Sequence, residues 1–201
     1  MRLGVLASGS GTNLQALLDT VHGREAEVVA VGSDKPGAQA LARARRAGVA
    51  ARAFPGADYA DRAARDAAMA EWLASRGVEL VVLAGYMQLV TPGFLARFPD
   101  RVINVHPALL PAFPGLHAIE QALDYGVKVF GVTVHFVDEG VDSGAIIAQR
   151  AVELPAARTV QDVHAALRPH EHELLCEAVL AVAAGRVRRD PAHPRRILVG
   201  R

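Results

Sequence analysis

Apolar residues in this chain gather in short, nearly unbroken runs: LGVLA at 3–7, AEVVAVG at 26–32, ELVVLAG at 79–85 and RVINV at 101–105. A strand covered on both faces reads this way, because neither face has to be polar. Between the runs the spacing becomes helical, first at Leu14, Leu17, Leu18 and Val21, then over 38–47, then over 59–76, which carries Trp72. Such alternation predicts an α/β fold, an open, mostly parallel twisted sheet with helices on both faces. The later pattern differs: VKVFGVTVHFV at 127–137 and GAIIAQRAVEL at 144–154 form a hairpin-like pair joined by DEGVDS. Residues 159–184 read as a helix with Thr159 at its N-cap and Gly185 as its stop, and Pro169 is expected to kink or divide it. The basic, proline-broken tail RVRRDPAHPRRILVGR is expected to fray. One domain over 1–185 followed by a basic tail over 186–201 is the expected organisation.

Composition narrows the partners. Apolar residues make up 51% and aromatic residues 5%, so Val, Leu, Ile and Ala must build the core. The formal charge of +1 provides no general field for nucleic acid or an anionic membrane, and a small charged substrate has to be caught locally. The single cysteine, Cys176, excludes an internal disulfide and a cysteine-based zinc cluster. No apolar run approaches the roughly 20 residues of a membrane span, and MRLGVLASGSG turns into a Gly/Ser loop before a signal-peptide core develops. These features lead us to expect a cytoplasmic protein.

In open sheets of this kind ligands bind beyond the carboxyl ends of the strands, which selects the loops at 8–13, 85–91, 104–115 and 138–143. SGSGTN at 8–13 precedes the first helix, and Gly9 and Gly11 would let backbone N–H groups meet a phosphate there. Leu14 stands where a dinucleotide site would have its third glycine, and a P-loop lysine is missing. Asp34, after the second run, keeps a ribose contact of the NAD type open. The plainer reading is a turn capped by Thr12 or Asn13.

In NVHPALLPAFPG, Asn104 and His106 share one side of an extended strand, and Pro107, Pro111 and Pro114 stiffen the loop beyond it. An amide and an imidazolium aimed at one point suit an oxygen that gains negative charge during attack on a carbonyl. The plainer alternative is a satisfied histidine at a strand end. DEGVDSG supplies Asp138, Glu139 and Asp142; one of them near His106 would favour its protonated, acid form. The residues alone do not choose among the three. His106, His135, His170 and His172 show no metal-ligand spacing, so no metal is expected.

Taken together, SGSGTNLQALLD, VVLAGYMQLV, INVHPALLPAFPGLHA and GVTVHFVDEGVDSGAII resemble the phosphoribosylglycinamide formyltransferases, the folate-dependent transformylases of purine synthesis. The resemblance runs in order from residue 1 to about 185. It implies a Rossmann-like formyltransferase fold and transfer of a formyl group from 10-formyltetrahydrofolate, the co-substrate, to the amine of glycinamide ribonucleotide, without a metal. It also implies a catalytic set of Asn104, His106 and Asp142. Phosphate falls to Ser10, Gly11, Thr12 and Asn13, and a ribose hydroxyl to Glu171. Folate contacts fall to Arg62, Leu83, Gly85, Met87, Gln88, Leu89, Val90 and Asn104. Read singly, Met87, Leu89 and Val90 would be core, and Arg62 a solvated helix charge. Gln88 stands where an arginine is familiar in the family and Ala108 where a serine is common. The arginine-rich tail lies outside the pattern.

Rival readings are expected to carry more chain. A formyltetrahydrofolate hydrolase is expected to have a regulatory domain ahead of this core. A methionyl-tRNA formyltransferase is expected to have a further domain after it, and the tail falls short of the ~50 residues of a minimal one. A nucleotide-binding module without catalysis would use SGSGTN but leave Asn104, His106 and Asp142 unexplained.

Overall fold

The computed structural model describes residues 1–200; Arg201, the end of the expected tail, lies outside them. The chain divides into two compact units, with the boundary between Asn104 and Val105.

In chain order the first unit holds β1 (Arg2–Leu6), α1 (Thr12–Thr20), β2 (Glu27–Ser33), α2 (Gln39–Arg46), β3 (Ala50–Ala53), α3 (Arg62–Ser75), β4 (Leu80–Leu83), α4 (Pro92–Arg97) and the start of β5 (Val102–His106). All its strand pairs are parallel, in the order β3-β2-β1-β4-β5. Every residue of β4 is buried, as its unbroken apolar run requires. β3 escapes the run pattern because AARA is short and only half-buried.

The order implies two faces. β1, β2 and β3 step one way across the sheet, and β3, β4 and β5 step the other. Right-handed crossovers therefore put α1 and α2 on one face and α3 and α4 on the opposite one. Contacts of α1 with α2 and of α3 with α4 agree with this. The direction reverses between β1 and β4, so the crevice beyond their carboxyl ends is the ligand position of such a sheet. Leu3, Leu6, Leu73, Leu80 and Ile103 are fully buried beneath it. Burial of each stabilises the fold by about 1.5–3 kcal/mol.

The second unit contains the end of β5, then α5 (Ala118–Tyr125), β6 (Val129–Phe136), β7 (Ile146–Glu153), α6 (Val160–Ala183), β8 (Val187–Asp190) and β9 (His193–Val199). β6 and β7 are antiparallel, as the hairpin-like pattern predicted, with an irregular register between Val134 and His135. α6 begins at a full capping box, in which Thr159 Oγ1 accepts from Asp162 N and Asp162 Oδ2 accepts from Thr159 N. It ends at Gly185, whose φ of 68° is the left-handed stop expected of it.

Two expectations fail here. Of the two outcomes expected at Pro169, division does not occur, since α6 is one helix from Val160 to Ala183. A proline removes one backbone bond, and packing of α6 against α5, β6 and β7 holds the helix across the gap. The tail does not fray within the described residues. β8 and β9 pair antiparallel, with Pro191 in the turn where no ladder bond is lost. Arg195 Nη2 donates to the Ser143 carbonyl at 2.6 Å, and the Arg189 guanidinium lies 5.4 Å from the centre of the Phe136 ring.

Candidate active site

In the first unit the β1 and β4 loops are tied to each other. Ser8 N donates to the Gly85 carbonyl at 3.0 Å, and Met87 N donates to Ser8 Oγ at 2.9 Å. Gly11 takes φ 69° at the N-cap of α1, and a Cβ there would lie 2.8 Å from Ala40 Cα, so only glycine fits the turn. Neither Thr12 nor Asn13 is the N-cap, because the backbone turns on Gly11, and no side-chain cap bond is made there. The carbonyls of Gly9 and Ser10 face α2, where they accept from Ala40 N at 3.1 Å and Arg43 Nε at 2.8 Å. Among the described residues the N–H groups of Gly9, Ser10, Gly11 and Thr12 donate to nothing. Four donors at a helix N-terminus are thus open to an anion. Asn13 is buried.

The β4 loop shows what it does with its apolar residues. Met87 and Leu89 are 57% exposed, so they are not core; Leu83 is buried, and Gln88 and Val90 are half-buried. Gly85 adopts φ 71°. Asn104, half-buried on β5, is the register partner of Leu83 on β4. Arg62 is exposed at the first position of α3, which Asp61 caps by accepting from Ala64 N at 2.7 Å. Asp34 is half-buried just past β2.

In the second unit the structure brings His106 and Asp142 together. The buried His106 ring has Nδ1 3.3 Å from Asp142 Oδ2 and Nε2 2.8 Å from the Phe113 carbonyl. Both neighbours can only accept, so each contact asks for a hydrogen on the ring nitrogen that makes it. The loop that delivers Phe113 is pinned from β6 and β7. Thr133 Oγ1 accepts from Leu110 N at 3.1 Å and donates to the Ala108 carbonyl at 2.7 Å, while Gln149 Nε2 donates to the Leu110 carbonyl at 2.8 Å. The prolines are therefore not alone in stiffening this segment.

The three candidate carboxylates now separate. Asp138 serves its own turn, accepting from Gly140 N and Ser143 Oγ at 3.1 and 2.6 Å. Glu139 is exposed. Asp142 sits at φ 48°, a left-handed conformation that a non-glycine residue adopts at a cost of about 1 kcal/mol or more. Its Oδ2 also accepts from Gly115 N at 2.7 Å, and Oδ1 lies 3.5 Å from His135 Nε2. Burial alone would raise the Asp142 pKa. Hydrogen bonds from His135 and Gly115 N and the charges of His106 and His135 outweigh it, giving about 2.

His135 is the member that the residue pattern missed. It stands in an apolar run, and the register irregularity before it gives the local freedom to turn its ring toward Asp142. Its Nδ1 reaches the Phe136 carbonyl at 2.8 Å. Glu171 is half-buried midway along α6, beside His172, whose pKa burial lowers. Among the described residues no group of three or more His, Cys, Asp or Glu is placed to hold a metal, and no helix is long and apolar enough to cross a membrane.

Similarity to known proteins covers the same part of the chain. A family model described as formyl transferase matches residues 1–179. A phosphoribosylglycinamide formyltransferase of Mycobacterium tuberculosis is 45% identical over 183 residues, covering 90% of this chain and 85% of the relative. A trifunctional purine biosynthetic protein adenosine-3 of Drosophila melanogaster is 46% identical over 157 residues, 76% of this chain, and the match spans only 12% of that relative's length. Among solved structures, glycinamide ribonucleotide transformylase 1 of Symbiobacterium toebii superposes with a TM-score of 0.94 at 50% identity, covering 99% of this chain and 93% of its own.

Proposed function

The chain belongs to the formyl transferase family, and from that premise we propose that it moves a formyl group from 10-formyltetrahydrofolate to the amine of glycinamide ribonucleotide, with Asn104, His106 and Asp142 as its catalytic set. The amine nitrogen bonds to the formyl carbon, and the carbonyl oxygen takes up the negative charge. The Asn104 amide and the His106 imidazolium stabilise that oxygen, at a worth of roughly 3 kcal/mol for each donor. Collapse breaks the bond from carbon to the folate nitrogen. A proton leaves the attacking amine and one reaches the departing nitrogen, so charge and atoms balance, with the His106–Asp142 pair as relay. The proposed chemistry uses no metal and no covalent nucleophile.

The observation that carries this reading is the His106–Asp142 contact, held at a strained backbone position. Ser10, Gly11, Thr12 and Asn13 receive the phosphate and Glu171 the ribose. Arg62, Leu83, Gly85, Met87, Gln88, Leu89, Val90 and Asn104 face the folate. We assign the activity to residues 1–185, in the cytoplasm, with no nucleic acid as partner, and treat 186–201 as an appended segment.

A spectrophotometric formyl-transfer assay tests it. Turnover is expected only with glycinamide ribonucleotide present; equal turnover in its absence would make the protein a hydrolase.

A further inference from the structure

Helix α3 carries an ion pair that the proposed chemistry does not use. Arg65 and Asp66 are chain neighbours, with side chains 6% and 0% exposed. Arg65 Nε and Nη2 both reach Asp66 Oδ1, at 3.1 and 2.9 Å. That leaves one carboxylate oxygen and one guanidinium nitrogen, and both turn to a single segment. Asp66 Oδ2 accepts from Thr91 N at 2.8 Å, and Arg65 Nη1 lies 3.4 Å from Gln88 Oε1. Burial opposes the Arg65 charge, but the Asp66 hydrogen bond and the carboxylate charges of Asp66 and Asp34 help outweigh it and raise its pKa.

Segment 87–91 is therefore fixed at three points: Met87 N on Ser8 Oγ, Gln88 on Arg65, and Thr91 N on Asp66. Between those points the side chains of Met87 and Leu89 stay in solvent. A buried ion pair is a weak source of stability, since apolar residues of similar volume often serve as well or better. What apolar residues cannot do is hold a backbone N–H and a side-chain amide at defined places. We propose that Arg65–Asp66 is a positioning pair, which keeps segment 87–91 in the shape that receives the folate ring system on Met87 and Leu89. Neither member touches the folate. The inference rests on the folate-side reading of 87–90.

Steady-state KM values for both substrates, kcat and Tm of two variants test it. Arg65→Lys keeps the charge but loses the fork that serves Asp66 and Gln88 together. It is expected to raise the folate KM about tenfold, roughly the worth of one anchor, with the ribonucleotide KM and kcat within about twofold of wild type. Arg65→Met with Asp66→Leu is expected to keep or raise Tm while the folate KM stays high. Unchanged folate KM in either folded variant overturns the pair's role. So does a parallel loss of Tm and of affinity for both substrates, or loss of the fold in both variants, which would make the pair merely structural. A wild-type chain without formyl transfer would instead overturn the functional reading, and this inference with it.

Discussion

Asp66 and Asp142 are both carboxylates held by cations, yet the partner of one never loses its charge and the partners of the other can. Asp66 sits within a regular helix, wholly buried, beside an arginine. Asp142 sits in a loop at positive φ, 15% exposed, between two imidazoles. A permanent cation suits a task of shape, because the contact is the same at every physiological pH. A titratable cation on a reachable, strained carboxylate suits proton movement. The difference assigns geometry to the first pair and chemistry to the second.

Breaking the second pair should have the largest effect. His106→Ala is expected to lower kcat by about 10³-fold, in the range for lost oxyanion donors, with only the modest fall in melting temperature that losing one partner of Asp142 brings. Steady-state kinetics beside a thermal melt would check both halves. Breaking the first pair should do the reverse. Asp66→Ala leaves a buried guanidinium without its carboxylate and is expected to cost about 3–5 kcal/mol of stability. Denaturant unfolding reads that loss directly, and a loss under about 1 kcal/mol would contradict the pairing.

Acid sharpens the contrast by a smaller amount. The Asp142 pKa is lowered from 3.8 to about 2. A carboxylate depressed in this way contributes stability above its ordinary value, and that contribution is lost as the pH falls through the folded value. The amount is on the order of 2 kcal/mol. Wild type and Asp142→Asn should therefore differ in unfolding free energy at pH 5, with the part due to ionisation fading between about pH 4 and 2. A gap constant over that range would deny the shift.

Legibility followed burial. β1, β2, β4 and β5 announce themselves because apolar runs are what strands covered on both faces require. β3 lacks such a run, and the short α4 and α5 are marked only by local signals, the Thr91 cap with Pro92 and the left-handed Gly126. Asn104 and His106 could be paired from strand alternation alone. Asp142 could not be chosen over Asp138 and Glu139 without the fold, because the choice depends on how a loop returns to a strand end. His135 and the Arg65–Asp66 pair were hidden for another reason: a histidine in an apolar run and charges on a helix are ordinary, and only tertiary contacts give them a task. The C-terminal hairpin was masked by its prolines and arginines, which read as a solvated tail until β8 pairs with β9.

Whether His106 and Asp142 act as one unit is read from a double-mutant cycle in kcat. Residues that work together lose activity non-additively. His106→Ala combined with Asp142→Asn should be little worse than the more damaging single change. A combined loss equal to the product of the two single losses would show independent roles and rule such a unit out.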